Sequence, residues 1–307
     1  MGPPALLIKP ESLQPTGAFK LRGAYNAIAA LAADSRPPGV VAHSSGNHGF
    51  AVAYAAALLR MPAAIVVPEN APTVKTDLIK GVGAELVVVA PTLAARIEAS
   101  AKIANERGYA EIPPFDDRRV IAGQGTIGLE IAEDFGAGHG ASRPAVILVP
   151  VGGGGLVSGI AVAVKALLPG TRIIGVEPEF AADARDSLRA GARVAWAAAD
   201  TARTKADSLR VEQVGELTFP HIEALVDDIV TVSEAELLEA VRRLALQGRL
   251  VAEPGGAVAV AAALFRDPAE LGLISPESEA PVVAVLSGGN IDPTLLTEIL
   301  GGASYTG

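Results

Sequence analysis

Four consecutive glycines, Gly152 to Gly155, follow the apolar run Ala145–Val149 and precede Leu156–Leu168, a segment of helical period. Backbone N–H groups at such a helix start can converge on an anion, and residues without Cβ let an oxygen approach the main chain closely. The chemistry suggested is a phosphate cradle; the plainer alternative is a flexible turn that tolerates positive φ. Leu156-Val157 stands where a Walker-type loop carries Lys-Ser/Thr. A dinucleotide fingerprint usually sits in the first βα unit, whereas this loop is near mid-chain. The phosphate of a small cofactor is what remains.

Lys20 lies in Gln14-Pro15-Thr16-Gly17-Ala18-Phe19-Lys20-Leu21-Arg22-Gly23-Ala24, a turn leading into a helical pattern that ends near Leu31. A single lysine is most often a solvated surface charge. Glycines and an aromatic flank this one, and in a cleft its amine would be usable for a Schiff base. The loop Ser44-Ser45-Gly46-Asn47-His48-Gly49 offers hydroxyls, an amide and backbone donors at the start of a helix predicted over Asn47–Leu59. An anion such as a carboxylate is favoured there, and helix capping by Ser45 or Asn47 is the alternative. Ser287-Gly288-Gly289-Asn290 is a further loop of this kind, or an ordinary turn.

These loops need elements to hold them. Short β-rich apolar runs recur at Gly39–Ala42, Ala63–Val67, Glu85–Val89, Ala145–Val149, Arg172–Val176 and Val282–Leu286, each followed by a longer Ala/Leu-rich segment of helical period. Apolar strands buried on both faces and separated by helices predict an α/β protein with parallel sheets covered on both sides. In such sheets ligands sit at the carboxyl ends of the strands, which is where the loops above fall. The turn-rich stretches Ser35-Arg36-Pro37-Pro38-Gly39 and Ile112-Pro113-Pro114 bracket an inserted subdomain. The expected division is a small domain over 35–117 and a discontinuous large domain over 1–34 and 118–307. Gly191–Ser208 has no clear period and reads as irregular.

Composition narrows the classes. The 307 residues are 50% hydrophobic, 19% charged and carry a formal charge of −9, which argues against disorder and against a nucleic-acid partner. The absence of cysteine rules out a disulfide scaffold, a thiolate metal site and a Cys nucleophile. The longest uncharged stretch, Pro144 to Val164, is broken by Pro150 and the four glycines, so it reads as strand, loop and helix rather than a membrane span. With no basic region or long apolar run at the N-terminus, the expected location is cytoplasmic.

Taken together the loops resemble the fold-type II pyridoxal 5′-phosphate enzymes (tryptophan synthase β-like), and within them the threonine/serine dehydratase and serine racemase family. The matching blocks, in family order, are Thr16-Gly17-Ala18-Phe19-Lys20-Leu21-Arg22-Gly23-Ala24, Ser44–Gly49, Ala122-Gly123-Gln124-Gly125-Thr126, Gly152–Leu156, Gly215-Glu216-Leu217-Thr218-Phe219, Glu253-Pro254-Gly255-Gly256-Ala257 and Ser287–Asn290. The resemblance spans almost the whole chain and implies a role for most of these loops. Lys20 would hold the cofactor's aldehyde and move protons at the substrate Cα, with Phe19 packed beside the ring. Asn47 would bond the 3′-oxygen, while Gly152, Gly153, Gly154, Gly155 and the Leu156 amide would hold the phosphate. Ser287 would meet the pyridine nitrogen; a hydroxyl there does not stabilise a pyridinium, which favours elimination or proton return over transamination. Ser45 would be the acid/base opposite Lys20, and Ser44, Ser45, Gly46 and His48 would bind the substrate carboxylate. Glu177, Ala181 and Asp183 match the family's divalent-cation site, whose hard oxygen donors suit Mg²⁺ or Ca²⁺.

Departures from the family pattern are a start close to Leu7-Ile8-Lys9-Pro10-Glu11, Ala18 for the commoner Ser, Phe50 for Gln, and Ser208 for Gly. The activity implied is dehydration and deamination of a small β-hydroxy amino acid, L-threonine or L-serine, to a 2-oxo acid and ammonia, by a homodimer. A serine racemase, a dehydratase for 3-hydroxyaspartate and a non-catalytic small-ligand-binding α/β protein are the alternatives.

Overall fold

The computed structural model of the chain describes residues 5–44, 46–71, 73–136, 142–273 and 280–302, without the side chains of 73–75. Among these, nine strands form two wholly parallel sheets: β1 (Leu6–Pro10), β2 (Val40–His43), β3 (Ala63–Pro68), β4 (Glu85–Val89), β5 (Ala110–Glu111), β6 (Val146–Pro150), β7 (Arg172–Pro178), β8 (Asp228–Val232) and β9 (Val282–Leu286). The helices are α1 (Lys20–Asp34), α2 (Asn47–Leu58), α3 (Thr73–Gly81), α4 (Leu93–Arg107), α5 (Arg118–Asp134), α6 (Gly155–Leu167), α7 (Asp183–Ala190), α8 (Ala198–Thr201), α9 (Thr218–Leu225), α10 (Glu234–Arg243), α11 (Pro254–Phe265) and α12 (Pro293–Leu300).

The chain divides into two compact units, residues 1–13 with 124–307, and residues 14–123. The expected small domain, 35–117, lies inside the second unit, which also takes in 14–34, where α1 packs on α2, and 118–123 at the start of α5. In the first unit the strand order is β1-β9-β6-β7-β8. Every residue of β6 and β9 is buried, as unbroken Val/Ile/Leu runs demand when helices cover both faces. One face packs on α10 and α11 through Leu148, Ile174, Val176, Val258, Ala261 and Leu286. Helix α11 is buried almost all round, and Pro254 at its first turn supplies a preset φ where the missing N–H is not needed. Helix α6 covers β6 and packs on α9. Between α5 and α6 the approach is close: a Cβ on Gly128 would lie 2.8 Å from Ala163 Cβ and 2.9 Å from the Ile160 carbonyl oxygen.

The second unit has strand order β4-β3-β2-β5. Alternate residues of β2 and β3 serve opposite faces. Val40, Ala42, Ile65 and Val67 pack toward α1 and α2, while Val41, Ala64 and Val66 pack with Ile103 of α4.

The six expected strands are all present within one or two residues at their ends. Three more are not legible in the sequence. Strand β1 carries Lys9, whose ammonium pairs with Glu130 at 2.6 Å, and ends in proline. Strand β5 is two residues long, and β8 opens on an exposed aspartate and includes a threonine. Of Gly191–Ser208, only the four-residue α8 and the beginning of a 3₁₀ turn, Asp207–Leu209, are regular.

Filling the α5–α6 contact should be expensive. Gly128→Val is expected to destabilise the protein by about 1–3 kcal/mol through overpacking, read as a lower urea midpoint with an unchanged slope.

Candidate active site

In the second unit, the turn closed by Gly17 N–H donating to the Gln14 carbonyl delivers Phe19 and Lys20 to the start of α1. Lys20 Nζ donates to the Pro114 carbonyl at 2.6 Å and lies 5.0 Å from the centre of the Phe19 ring. The amine is therefore held at a fixed point, between a backbone acceptor and an aromatic face. Strand β2 of the same unit ends at His43, and the loop after it leads into α2 at Asn47. Gly46 is the N-cap of α2 and has no side chain to satisfy the helix's first N–H groups. Gly46 N–H itself donates to Ser44 Oγ at 3.3 Å.

His48, buried in the first turn of α2, places Nε2 2.7 Å from the Ile112 carbonyl. A carbonyl only accepts, so Nε2 carries the proton and Nδ1 its lone pair. Burial lowers the His48 pKa to about 3; the Lys20 charge and His43 push the same way, against the pull of the Ile112 bond. His43 is also held below its ordinary value by burial, with Glu111 at 3.6 Å opposing the shift. A neutral His48 whose one N–H is already spent on Ile112 offers a carboxylate no ring donor, so its backbone N–H at the helix start is the group suited to an anion.

In the first unit, β6 and β9 are adjacent and parallel, with Val146 opposite Val282 and Leu148 opposite Ala284. The glycine loop and Ser287 therefore leave neighbouring strands at the same, carboxyl end. Gly154, the N-cap of α6, has φ of +89°, and no side chain caps the helix. Gly153 through Leu156 are buried. The first turn of α6 thus presents N–H groups that have no intrahelical partner, and these fit a phosphate. Leu209 lies over Gly152. The loop bearing Ser287 is fixed by two main-chain bonds, Ser287 N–H to the Gly256 carbonyl at 3.2 Å and Glu253 N–H to the Gly288 carbonyl at 3.1 Å. The buried Ser287 hydroxyl is carried on this frame.

Glu177, at the end of β7, accepts from the N–H groups of Ala184 and Arg185 at 3.0 and 2.8 Å and so caps α7. Burial, reinforced by Asp183, raises its pKa well above the usual carboxylate range. Burial also lifts Asp183 to about 7, and its Oδ2 is buried without a hydrogen-bond partner. Ala181, two residues earlier, is also buried, and of the two carboxyl groups only Asp183 has an oxygen without a partner, since both Glu177 oxygens accept from α7. Among the described residues, no group of three or more His, Cys, Asp or Glu side chains is placed to hold a metal ion.

Of the residues singled out in the sequence, Phe19, Lys20, Ser44, Gly46, Asn47 and His48 lie in the second unit, around the starts of α1 and α2. Gly152–Leu156 and Ser287 share the carboxyl edge of the first unit's sheet, and Glu177, Ala181 and Asp183 lie at the β7–α7 turn. Ser45 lies outside the described residues. Three groups carry positioning contacts that the sequence alone does not assign. They are the carbonyls of Ile112 and Pro114, in a stretch that reads only as a boundary, and Thr218, in a motif without a role of its own.

The sequence profile described as "Pyridoxal-phosphate dependent enzyme" matches residues 1–288. An L-threo-3-hydroxyaspartate ammonia-lyase of Saccharomyces cerevisiae is 40% identical over 297 residues, covering 97% of this chain and 86% of the relative. A serine racemase of Arabidopsis thaliana is 40% identical over 297 residues, covering 94% and 83% respectively. Among solved structures, a threonine deaminase of T.th. aligns with a TM-score of 0.85 and 46% identity, over 94% of this chain and 88% of that one. No described helix is long and apolar enough to cross a membrane.

The buried, neutral His48 has a consequence for acid stability. Its pKa is about 3 when folded and near the ordinary 6.5 when exposed, so between these values the unfolded chain binds the extra proton. This contribution to stability is complete above pH 6.5 and is lost as pH falls, with a slope approaching about 1.4 kcal/mol per pH unit. Urea unfolding from pH 7 to 4 should therefore be less acid-sensitive in His48→Asn than in the wild type; parallel curves would contradict the assignment.

Proposed function

Because the chain belongs to the pyridoxal-phosphate dependent enzymes of fold type II, in the threonine/serine dehydratase and serine racemase group, we propose that it is an ammonia-lyase acting on L-threonine or L-serine. The carrying observation is the 46% identity to a threonine deaminase over 94% of the chain, the highest identity among the relatives compared above. Bound pyridoxal phosphate supplies an electron sink that acidifies the substrate's Cα–H. In this reading Lys20 would hold the cofactor's aldehyde while no substrate is bound and, as a free amine, would take the Cα proton, with the Pro114 carbonyl keeping that amine in place. Phe19 packs beside the ring and Asn47 bonds its 3′-oxygen. The amides of Gly152 to Leu156 grip the phosphate. Ser287 meets the ring nitrogen with a neutral hydroxyl, which leaves charge at Cα less delocalised and favours loss of the β-substituent. Ser44, Gly46 and the His48 backbone N–H receive the substrate carboxylate at the positive end of α2. Loss of the Cα proton and the β-hydroxyl releases water and leaves an enamine, which hydrolyses to the 2-oxo acid and ammonia.

A second reading, amino-acid racemisation, is favoured by the 40% identity to a serine racemase. It uses Lys20 and Ser45 as two bases on opposite faces of Cα. The resemblance also implies Mg²⁺ or Ca²⁺ at Glu177, Ala181 and Asp183; Asp183 Oδ2 is buried there without a hydrogen-bond partner, while no group of three ligating side chains lies among the described residues.

Three measurements test these assignments. Purified protein given L-threonine, L-serine or L-threo-3-hydroxyaspartate should release 2-oxo acid from threonine or serine fastest; D-serine as the main product from L-serine would replace the lyase with the racemase. Borohydride should fix the cofactor on the Lys20 peptide, and Lys20→Ala should lose both the bound chromophore and at least about a thousandfold in turnover. Unaltered turnover in that variant would refute the role of Lys20. Chelation should lower Tm by several degrees, with recovery on adding Mg²⁺ or Ca²⁺, and an unchanged melting curve would remove the cation.

A further inference from the structure

The segment Gly215–Phe219 matches the family pattern, yet neither the cofactor nor the substrate assignments above give it a task. Its threonine is fully buried, and Thr218 Oγ1 donates to the Gly153 carbonyl at 2.7 Å. The Gly215 N–H approaches the same oxygen at 3.3 Å. In turn the Ser158 hydroxyl, one turn into α6, donates to the Thr218 carbonyl at 3.3 Å. All these groups belong to the first unit.

The peptide joining Gly153 to Gly154 is trans, since the described residues include no cis peptide bond. In a trans peptide the carbonyl and the following N–H point in opposite directions. Fixing the Gly153 oxygen toward Thr218 and Gly215 therefore turns the Gly154 N–H away from them. The next peptide is fixed in the same manner: the Gly154 carbonyl accepts from Ser158 N–H at 3.0 Å, which aims the Gly155 N–H out of the helix start. Thr218 also stands where a side chain on residue 154 would go, with Oγ1 2.8 Å from a Cβ built there. At φ of +89° that position already disfavours any L side chain, so the loop and its clamp are matched to each other.

We infer that Thr218 is a positioning residue for the phosphate grip: its hydroxyl sets the direction of the Gly154 amide and so the affinity for the phosphorylated cofactor. This rests on the pyridoxal-phosphate reading above. Thr218 touches no cofactor atom in this scheme; it acts through the Gly153–Gly154 peptide. Without the hydroxyl the Gly153 carbonyl is left with the longer bond from Gly215, and the peptide is freer to rotate toward an orientation that presents oxygen, rather than N–H, to the anion.

The test compares cofactor-free wild type, Thr218→Val and Thr218→Ser, each titrated with pyridoxal 5′-phosphate and, separately, with pyridoxal, which has the same aldehyde and ring but no phosphate. Absorbance of the bound chromophore reports occupancy. Thr218→Val should weaken pyridoxal 5′-phosphate about tenfold while changing pyridoxal by no more than about twofold, the scale expected for losing one buried hydrogen bond. Thr218→Ser, which keeps the hydroxyl, should restore the phosphate preference. The ³¹P resonance of the bound cofactor should move in Thr218→Val and return in Thr218→Ser. Equal weakening of both ligands would mark a general loosening and overturn the inference, as would undiminished phosphate preference in Thr218→Val. Should the valine variant not fold, Thr218→Ala carries the same expectation and the same refutation. A wild type that takes up no pyridoxal 5′-phosphate would instead bring down the functional reading itself, so the two failures are told apart.

Discussion

A helix that begins in a buried place with no side chain over its first amides is costly, because those N–H groups have left water without finding partners. Helix α6 begins in this way, with Gly154 as its cap and Gly153 to Leu156 buried. A docked anion would offset the cost, and the loop is held by its surroundings in the first unit. Strand β6 delivers the loop at the carboxyl edge of the sheet. Leu209 closes over Gly152, and Thr218 and Gly215 hold the Gly153 carbonyl from behind. The adjacent strand β9 leads to Ser287, whose main chain is pinned to that of Gly256. A phosphate and a ring nitrogen are the chemical groups such a frame suits.

The ionisable groups follow a second rule, that burial suppresses charge unless something compensates it. His48 has its Nε2–H satisfied by Ile112 and stays neutral, so its ring has a structural bond and no spare donor. Glu177 and Asp183 are both driven toward protonation by burial, and Glu177 further by the proximity of Asp183.

Much of this is readable in the sequence because the signals are local. Short runs rich in Val, Ile and Leu mark the six strands expected from it, and four glycines between a strand and a helix mark the buried start of α6. Lys20 stands out as a candidate through its neighbours rather than through any property of a lone lysine. The parts that escape depend on contacts distant in sequence. The hold of Pro114 on Lys20 spans 94 positions, and that of Thr218 on Gly153 spans 65. Strand β1 is hidden because Lys9, alien to an apolar run, is accommodated by Glu130 from α5. The neutral state of His48 likewise depends on a carbonyl 64 positions away.

The pairing of β1 with β9 bears on how the chain acquires its shape during synthesis. Leu6 lies beside Val282, so β1 has no neighbour in its sheet until the chain has been made as far as β9. The four-stranded sheet of residues 14–123 has all its strands much sooner. Assembly can thus be staggered in time: the four-stranded sheet has its strands to pair while the chain is still growing, whereas β1 waits for β9.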